Sequence, residues 1–290
     1  MSRKTLSNII IVVVLVAVVW GVSAVQRSAR ATILMKDLQA ADDYLAYKAM
    51  RKANGLGATA QARALPLLSA GEPYVRARAA ILVGETGQAK YAPAVQALLQ
   101  DGDATVRVAA ATALGHLGTQ DAAPPLAVMA QETQQPLEVR TAAVRSLAML
   151  ASPQAAPTLI AILQASPDPK QAALRQAATI ALGTMRTEEA LGELTARLQP
   201  DQESDVVVRT LAAEALAHAA GNGEGQEDQV AEALVGSLQD QASEVRIAAA
   251  HSLGVVALYP TVAEGVRAAL QDARNDEEYW VRQAADEALR

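Results

Sequence analysis

Apolar residues recur through most of this chain at three- and four-residue steps, broken at regular intervals by short polar stretches. In residues 103–118, DATVRVAAATALGHLG, one stripe runs through Val106, Ala109, Ala110, Ala113, Leu114 and Leu117. That spacing is the helical period and gives one buried face. Asp103 is placed to cap the N-terminus, and Gly115 and Gly118 to end the helix. About fifteen residues on, a second apolar helix is predicted, as in AAPPLAVMAQE from Ala122 and AAPTLIAILQA from Ala155. Each such pair is a helical hairpin.

The hairpin repeats. Aligned on a Val-Arg step, the copies read YVRARAAILVG, TVRVAAATALG, EVRTAAVRSLA, ALRQAATIALG, VVRTLAAEALA, EVRIAAAHSLG and WVRQAADEALR. Their arginines are Arg76, Arg107, Arg140, Arg175, Arg209, Arg246 and Arg282, separated by 31, 33, 35, 34, 37 and 36 residues. One hairpin cannot bury both its faces, so hairpins of this period must stack into a solenoid.

The V-R-x-A-A-x-x-L-G core, the acid before it and the A-x-P-x-L helix after it resemble HEAT repeats of the short, bilin-lyase-like type. The resemblance covers roughly residues 42–290. Tetratricopeptide repeats would carry Trp, Tyr and Phe at fixed places, and the chain has no Phe; the T-P-L-H of ankyrin repeats is absent. The expected fold is all-α: a right-handed α-solenoid of about seven HEAT-like hairpins, preceded by one transmembrane helix. The resemblance implies that the recurrent arginine stacks along the array, bonded to acids or carbonyls of the neighbouring hairpin. An acid lies four residues before the arginine at Glu72, Asp103, Asp205 and Glu278, and two before it at Glu138 and Glu244. The seven arginines are therefore expected to form an internal structural ladder.

The N-terminus has a different pattern. Residues 5–26 carry no charge, and 6–25 at about 1.5 Å per residue would cross a hydrocarbon core of roughly 30 Å. Arg3 and Lys4 precede the stretch, as in a signal-anchor; Val22, Ser23 and Ala24 also fit a signal-peptidase site. We read residues 1–30 as an uncleaved anchor with basic flanks, the alternative being a cleaved signal peptide. Arg3 and Lys4 favour export of the repeats, while Arg27, Arg30 and Lys36 pull the other way. Ala17 and Gly21 form a small-xxx-small pair suited to packing against another membrane helix. A helix is expected over 32–54. Residues 31–70 read as a degenerate capping hairpin, with Leu45 on the valine position, Ala46 replacing the arginine and a partner helix at 58–68. Residues 71–290 form the repeat solenoid. Its last copy reaches Arg290 after one helix, which calls for a partner or dimer contact there unless Asp286, Glu287 and Arg290 make that helix its own cap.

Charge is uneven. Residues 1–30 have four basic groups and no acid, 31–185 a net of +2, and 186–290 a net of −12. An acidic C-terminal half argues against nucleic acid and suits a basic protein surface; it also keeps an Ala-rich solenoid soluble. The absence of cysteine removes disulfides, thiolate metal sites and cysteine nucleophiles.

Little of the rest reads as chemistry. His116 and His218 occupy one repeat position three copies apart, and His251 another, so they are not expected to share a metal. No His-Glu pair of the kind used by the di-iron HEAT hydroxylases occurs. The glycines at 221, 223 and 225 lack the Lys-Ser or Lys-Thr of a phosphate loop, and Glu224 would repel phosphate. No cofactor, metal or catalytic residue is expected. The function expected from architecture is a non-catalytic, membrane-anchored scaffold. It would bind a membrane complex or its soluble partner at the bacterial inner membrane, with periplasmic repeats. An assembly factor is one alternative, and a lyase or chromophore-handling enzyme of the bilin-lyase-like type the other.

Overall fold

A computed structural model describes residues 23–54, 58–165, 168–219 and 226–290. Among them every regular element is helical. The chain divides into two compact units, residues 1–118 and 119–290.

In the first unit, residues 23–38 form α1, followed by α2 (Asp43–Asn54), α3 (Ala58–Ala64), α4 (Pro73–Gly84), α5 (Ala92–Gln96) and α6 (Ala104–Leu117). The expected helix over 32–54 is broken at residues 39–42. There Asp42 caps α2, its Oδ1 accepting from the N–H groups of Tyr44 (2.8 Å) and Leu45 (3.0 Å). The helix expected over 58–68 stops at Ala64 and tightens into a 3₁₀ turn, Leu65–Ser69, because Pro66 removes a backbone donor. α4 packs on α6, and α2 and α3 pack on α4. α6 shows why the repeat sequence folds as it does. Val106, Ala110, Ala113 and Leu114 are wholly buried, Asp103 accepts from the Thr105 and Val106 N–H groups, and Gly118 closes the helix at φ 69°.

In the second unit the helices are α7 (Ala123–Gln131), α8 (Leu137–Leu150), α9 (Ala156–Gln164), α10 (Ala172–Met185), α11 (Glu188–Arg197), α12 (Val206–Ala219), α13 (Glu227–Ser237), α14 (Ser243–Val256), α15 (Ala263–Ala273) and α16 (Tyr279–Ala288). They make two rows. The arginine-bearing helices α8, α10, α12, α14 and α16 stack in sequence, and α7, α9, α11, α13 and α15 stack beside them. Each arginine helix also packs on the helix before it, α7 on α8 through α15 on α16. The core is a line of Leu, Val and Ala, with Leu147, Leu182, Leu216 and Leu253 fully buried at one repeat position.

Two expectations change. Gly115 does not end its helix but lies buried inside α6. At the same repeat position, a Cβ on Gly84 would lie 2.6 Å from Ala113 Cα, one on Gly183 2.6 Å from Ala215 Cβ, and one on Gly254 2.9 Å from Ala288 Cβ. The motif's glycine is therefore a contact point between successive arginine helices; it lets their backbones approach closely. In α2 the buried residues are Ala46, Ala49 and Ala53, while Leu45 is 41% exposed. Leu45 does not fill the site that Val75 and Val106 fill, because α2 turns its small residues inward.

Of the apolar stretch 6–25, residues 6–22 lie outside the described residues, as do Ala17 and Gly21; residues 23–25 open α1. Among the described residues no helix is long and apolar enough to cross a membrane.

Candidate functional site

The repeated arginines sit one residue into the buried stripe of each arginine helix, so each guanidinium points back at the loop before its own helix. There Nη1 donates to two successive backbone carbonyls in most copies. Arg76 donates to Ala70 O and Gly71 O, Arg107 to Asp101 O and Gly102 O, and Arg209 to Glu203 O and Ser204 O. Arg246 donates to Asp240 O and Gln241 O, and Arg282 to Asp276 O and Glu277 O, at 2.7–3.3 Å. Arg175 reaches Leu163 O and Ala165 O. Apart from Leu163 O, in the last turn of α9, these carbonyls lie between the end of the preceding helix and the start of the arginine's own, where the guanidinium satisfies backbone acceptors that no helix ladder takes.

The other edge of the guanidinium faces the next loop. Arg76 makes a bidentate pair with Asp101 (2.7 and 2.8 Å), Arg209 with Asp240 (2.8 and 3.0 Å) and Arg246 with Asp276 (2.8 and 2.9 Å); Arg175 Nη2 pairs with Glu203. Each acid does two jobs. Its carboxylate receives one arginine and also a backbone N–H two residues on: Asp103, Asp205, Ala242 and Glu278, respectively. Its own carbonyl receives the following arginine, in Asp101 from Arg107, Glu203 from Arg209, Asp240 from Arg246 and Asp276 from Arg282.

The carboxylates that close these pairs are therefore not those four or two residues before an arginine. Asp103 and Asp205 are helix caps instead. The partner acid stands six residues before the next arginine, a column that reads Ala70, Asp101, Gln134, Pro169, Glu203, Asp240 and Asp276. The signal was in the sequence, since Pro169 marks the place where Arg140 lacks its acid. Arg140 is buried, donates through Nε to Ala130 O (2.9 Å) and reaches only the amide oxygen of Gln171 (3.4 Å).

The electrostatics follow the geometry. The hydrogen bond from Arg76, helped by the Asp103 N–H and the charges of Arg76 and Arg107, holds the Asp101 carboxyl below the usual range against the effect of burial. For Asp240 and Asp276 burial is the largest influence and acts upward. It is outweighed by the arginine hydrogen bond, a backbone N–H and two flanking guanidinium charges, so both stay low. Arg76 and Arg246 are raised by their hydrogen bonds to Asp101 and Asp276. Arg140 is lowered, by burial alone. A second buried polar cluster extends the Arg175 rung: Glu193 pairs with Arg197 at 3.0 Å and accepts from Gln164, and Arg197 donates to Gln202 O.

Of the concave surfaces among the described residues of the second unit, two are larger than 500 Å³. One, of about 560 Å³, lies between α10 and α12 and is lined by Ile180, Thr184, Arg186, Leu211, Glu214 and His218; it is mostly apolar. The other, of about 710 Å³, is at the ends of α13 and α15, with Asp240, Asp272, Asp276 and Glu277 around Arg246. His116, His218 and His251 are all exposed, and His251 Nε2 is 3.6 Å from Glu287 Oε2. Among the described residues no three His, Asp or Glu side chains come together as metal ligands. The glycine-rich segment at 221–225 lies outside the described residues.

A family model for HEAT repeats matches residues 61–137 and 133–217, more than half of the chain. The chain belongs to the HEAT-repeat family. No curated protein sequence matches it. Among solved structures, this HEAT chain is similar to the complex of CpcE and CpcF of phycocyanin lyase from Nostoc sp. PCC7120. That match has 25% identity over 79% of this chain and 94% of that one, with a TM-score of 0.50. It is also similar to human deoxyhypusine hydroxylase in complex with glycerol (20% identity, 93% and 98% coverage, TM-score 0.41). An engineered protein matches at 20% identity, with 89% and 77% coverage and a TM-score of 0.49.

Proposed function

We propose that this HEAT chain is a non-catalytic interaction scaffold, tethered to the bacterial inner membrane through residues 6–25, with its repeats on the periplasmic side. The observation that carries the reading is the fate of the charged groups. Arg76, Arg175, Arg209 and Arg246 and their acids are spent on one another and on backbone carbonyls, while the large apolar groups left exposed lie on the outer faces of the helices. Met149 on α8, Ile180 on α10 and Val255 on α14 are each about half exposed, and Ile180 and Leu211 flank the α10–α12 groove. Such faces suit protein contact. HEAT repeats supply long surfaces of this kind, and a tether raises the effective concentration of the surface at the membrane.

The partner that fits residues 186–290, net −12, is a basic protein surface. An assembly factor would have the same surfaces but leave the finished complex. The similarity to CpcE and CpcF of phycocyanin lyase supports a second reading, a chromophore-handling enzyme with its site on a repeat face.

The test is purification of the full chain from native membranes in mild detergent, with mass spectrometry of co-purifying proteins and of residues 1–30. Stoichiometric recovery with membrane proteins, with residues 1–30 retained, is expected. Recovery of the chain alone, beginning near Val25, would overturn the scaffold reading and turn attention to small-molecule sites.

A further inference from the structure

The helix α2 is built the wrong way round for a buried element. Its alanines, Ala46, Ala49 and Ala53, face the unit at 1–2% exposure, while Tyr44, Leu45 and Tyr47 are exposed at 69%, 41% and 59%. Between these large side chains stand Lys48, Arg51 and Lys52, all exposed. At 100° per residue, Tyr44, Tyr47, Lys48 and Arg51 form one stripe, with Leu45 and Lys52 along its edge. Lys48 Nζ lies 5.9 Å from the centre of the Tyr44 ring, and Arg51 Cζ 5.9 Å from that of Tyr47. Cations and aromatics thus alternate along a single outward face.

The neighbouring helix adds to it. α1 is fixed to its unit by Arg78, which donates to Leu38 O (3.0 Å) and Ala40 O (2.7 Å), and by Arg63 donating to Ser28 Oγ (2.6 Å). Outward it carries Val25, Arg27, Arg30, Ile33 and Lys36. Residues 23–54 hold six cations against three acids, whereas residues 186–290 are net −12.

We propose that the outer faces of α1 and α2 dock onto an anionic lipid surface, with Tyr44, Leu45 and Tyr47 at headgroup depth and Lys48, Arg51 and Lys52 against the phosphates. The inference rests on the membrane-tether reading above, because the uncharged stretch 5–26 runs directly into α1. The chemistry selects lipid. Tyrosine prefers the interface between hydrocarbon and water, where its ring is apolar and its hydroxyl wet. Basic side chains flanking such rings find phosphate in every direction along a leaflet, so no fixed complementary shape is needed. The acidic residues 186–290 are repelled by the same leaflet, so charge favours residues 23–54 as the part that meets it.

The test uses the full chain in vesicles of phosphatidylcholine, with or without 30% phosphatidylglycerol. The chain has no cysteine, so Ala29→Cys, exposed on the outer face of α1, carries a single environment-sensitive fluorophore. The expected result is a blue-shifted label, shielded from iodide and quenched by nitroxide lipids, in the anionic vesicles only. Lys48→Gln with Arg51→Gln should reduce the ratio of shielded to exposed label about 25-fold, from roughly fivefold for each cation lost. Resistance to carbonate extraction, which reports the tether, should not change. A label that is equally open to iodide in both vesicle types, on a chain that resists extraction, overturns the docking and leaves the tether standing. A label shielded on a chain that carbonate removes overturns the tether and keeps the docking. Shielding that rises with protein concentration and needs no anionic lipid overturns the proposal in favour of a second copy or an acidic protein.

Discussion

Arg209 and Arg140 occupy the same position two copies apart in one repeat array and live in different electrostatic worlds. Arg209 is held by both oxygens of Asp240 and by two loop carbonyls, and Asp240 passes the connection on through its own carbonyl to Arg246. Arg140 has one carbonyl and a long contact to a neutral amide, and burial lowers its pKa with no acid to offset the effect. The fold accepts both. A repeat position can keep its residue type while the interaction that rewards it comes and goes, because the partner belongs to the loop of the next copy.

The largest way to break that contrast is Asp240→Ala. The Asp240 side chain is 2% exposed and that of Arg209 7%, so removing the acid strands a buried guanidinium; the expected loss is about 3–5 kcal/mol in denaturant unfolding. The loop N–H of Ala242 loses its acceptor at the same time. Acid should act in the same direction. Asp101, Asp240 and Asp276 have carboxyls held below their ordinary value, so their contribution is whole above the unfolded value of about 3.9 and fades as pH falls through the lower folded values. A melting profile should be flat across neutral pH and drop below about pH 4. A drop centred well above pH 4 would contradict a ladder held by these carboxylates.

Gly183→Ala should cost about 1–3 kcal/mol, since its Cβ would lie 2.6 Å from Ala215 Cβ with backbone behind it. Gly192→Ala, inside α11 with nothing within 4 Å, is the matched control. Arg140→Met should cost only about 1 kcal/mol, the value of one hydrogen bond, because no buried acid is left unpaired. A loss as large as that of Asp240→Ala would erase the contrast between the two rungs. The smallest effect sharpens it: Gln171→Glu should supply the missing carboxylate at the start of α10 and stabilise the chain by about 0.5–1 kcal/mol.

The repeat, its helices and the arginine positions were legible because they recur at fixed register, and a recurring stripe such as Val106, Ala109, Ala110 and Ala113 has one geometric reading. The acids that complete the ladder were less so. They sit in loops of changing length, beside the cap residues Asp103 and Asp205, which are closer to the arginine in sequence and attract attention first. Counting back six residues from each arginine separates Asp101, Glu203, Asp240 and Asp276 from the uncharged Ala70, Gln134 and Pro169. The motif glycine was misplaced for a similar reason. Glycine near a helix end usually closes it, as Gly118 does, and only tertiary contact reveals that Gly84, Gly183 and Gly254 make room for a neighbour. The outward face of α2 was hidden by aligning Leu45 with the buried valines, an alignment that the alanines at 46, 49 and 53 override.

The most direct test of the ladder is a double-mutant cycle on Arg209→Met and Asp240→Leu, read by denaturant unfolding of the full chain. Each single change should cost several kcal/mol, and the double change much less than their sum, giving a coupling of about 2–3 kcal/mol. Additive losses, with coupling near zero, would contradict the claim that the repeats are joined through these pairs.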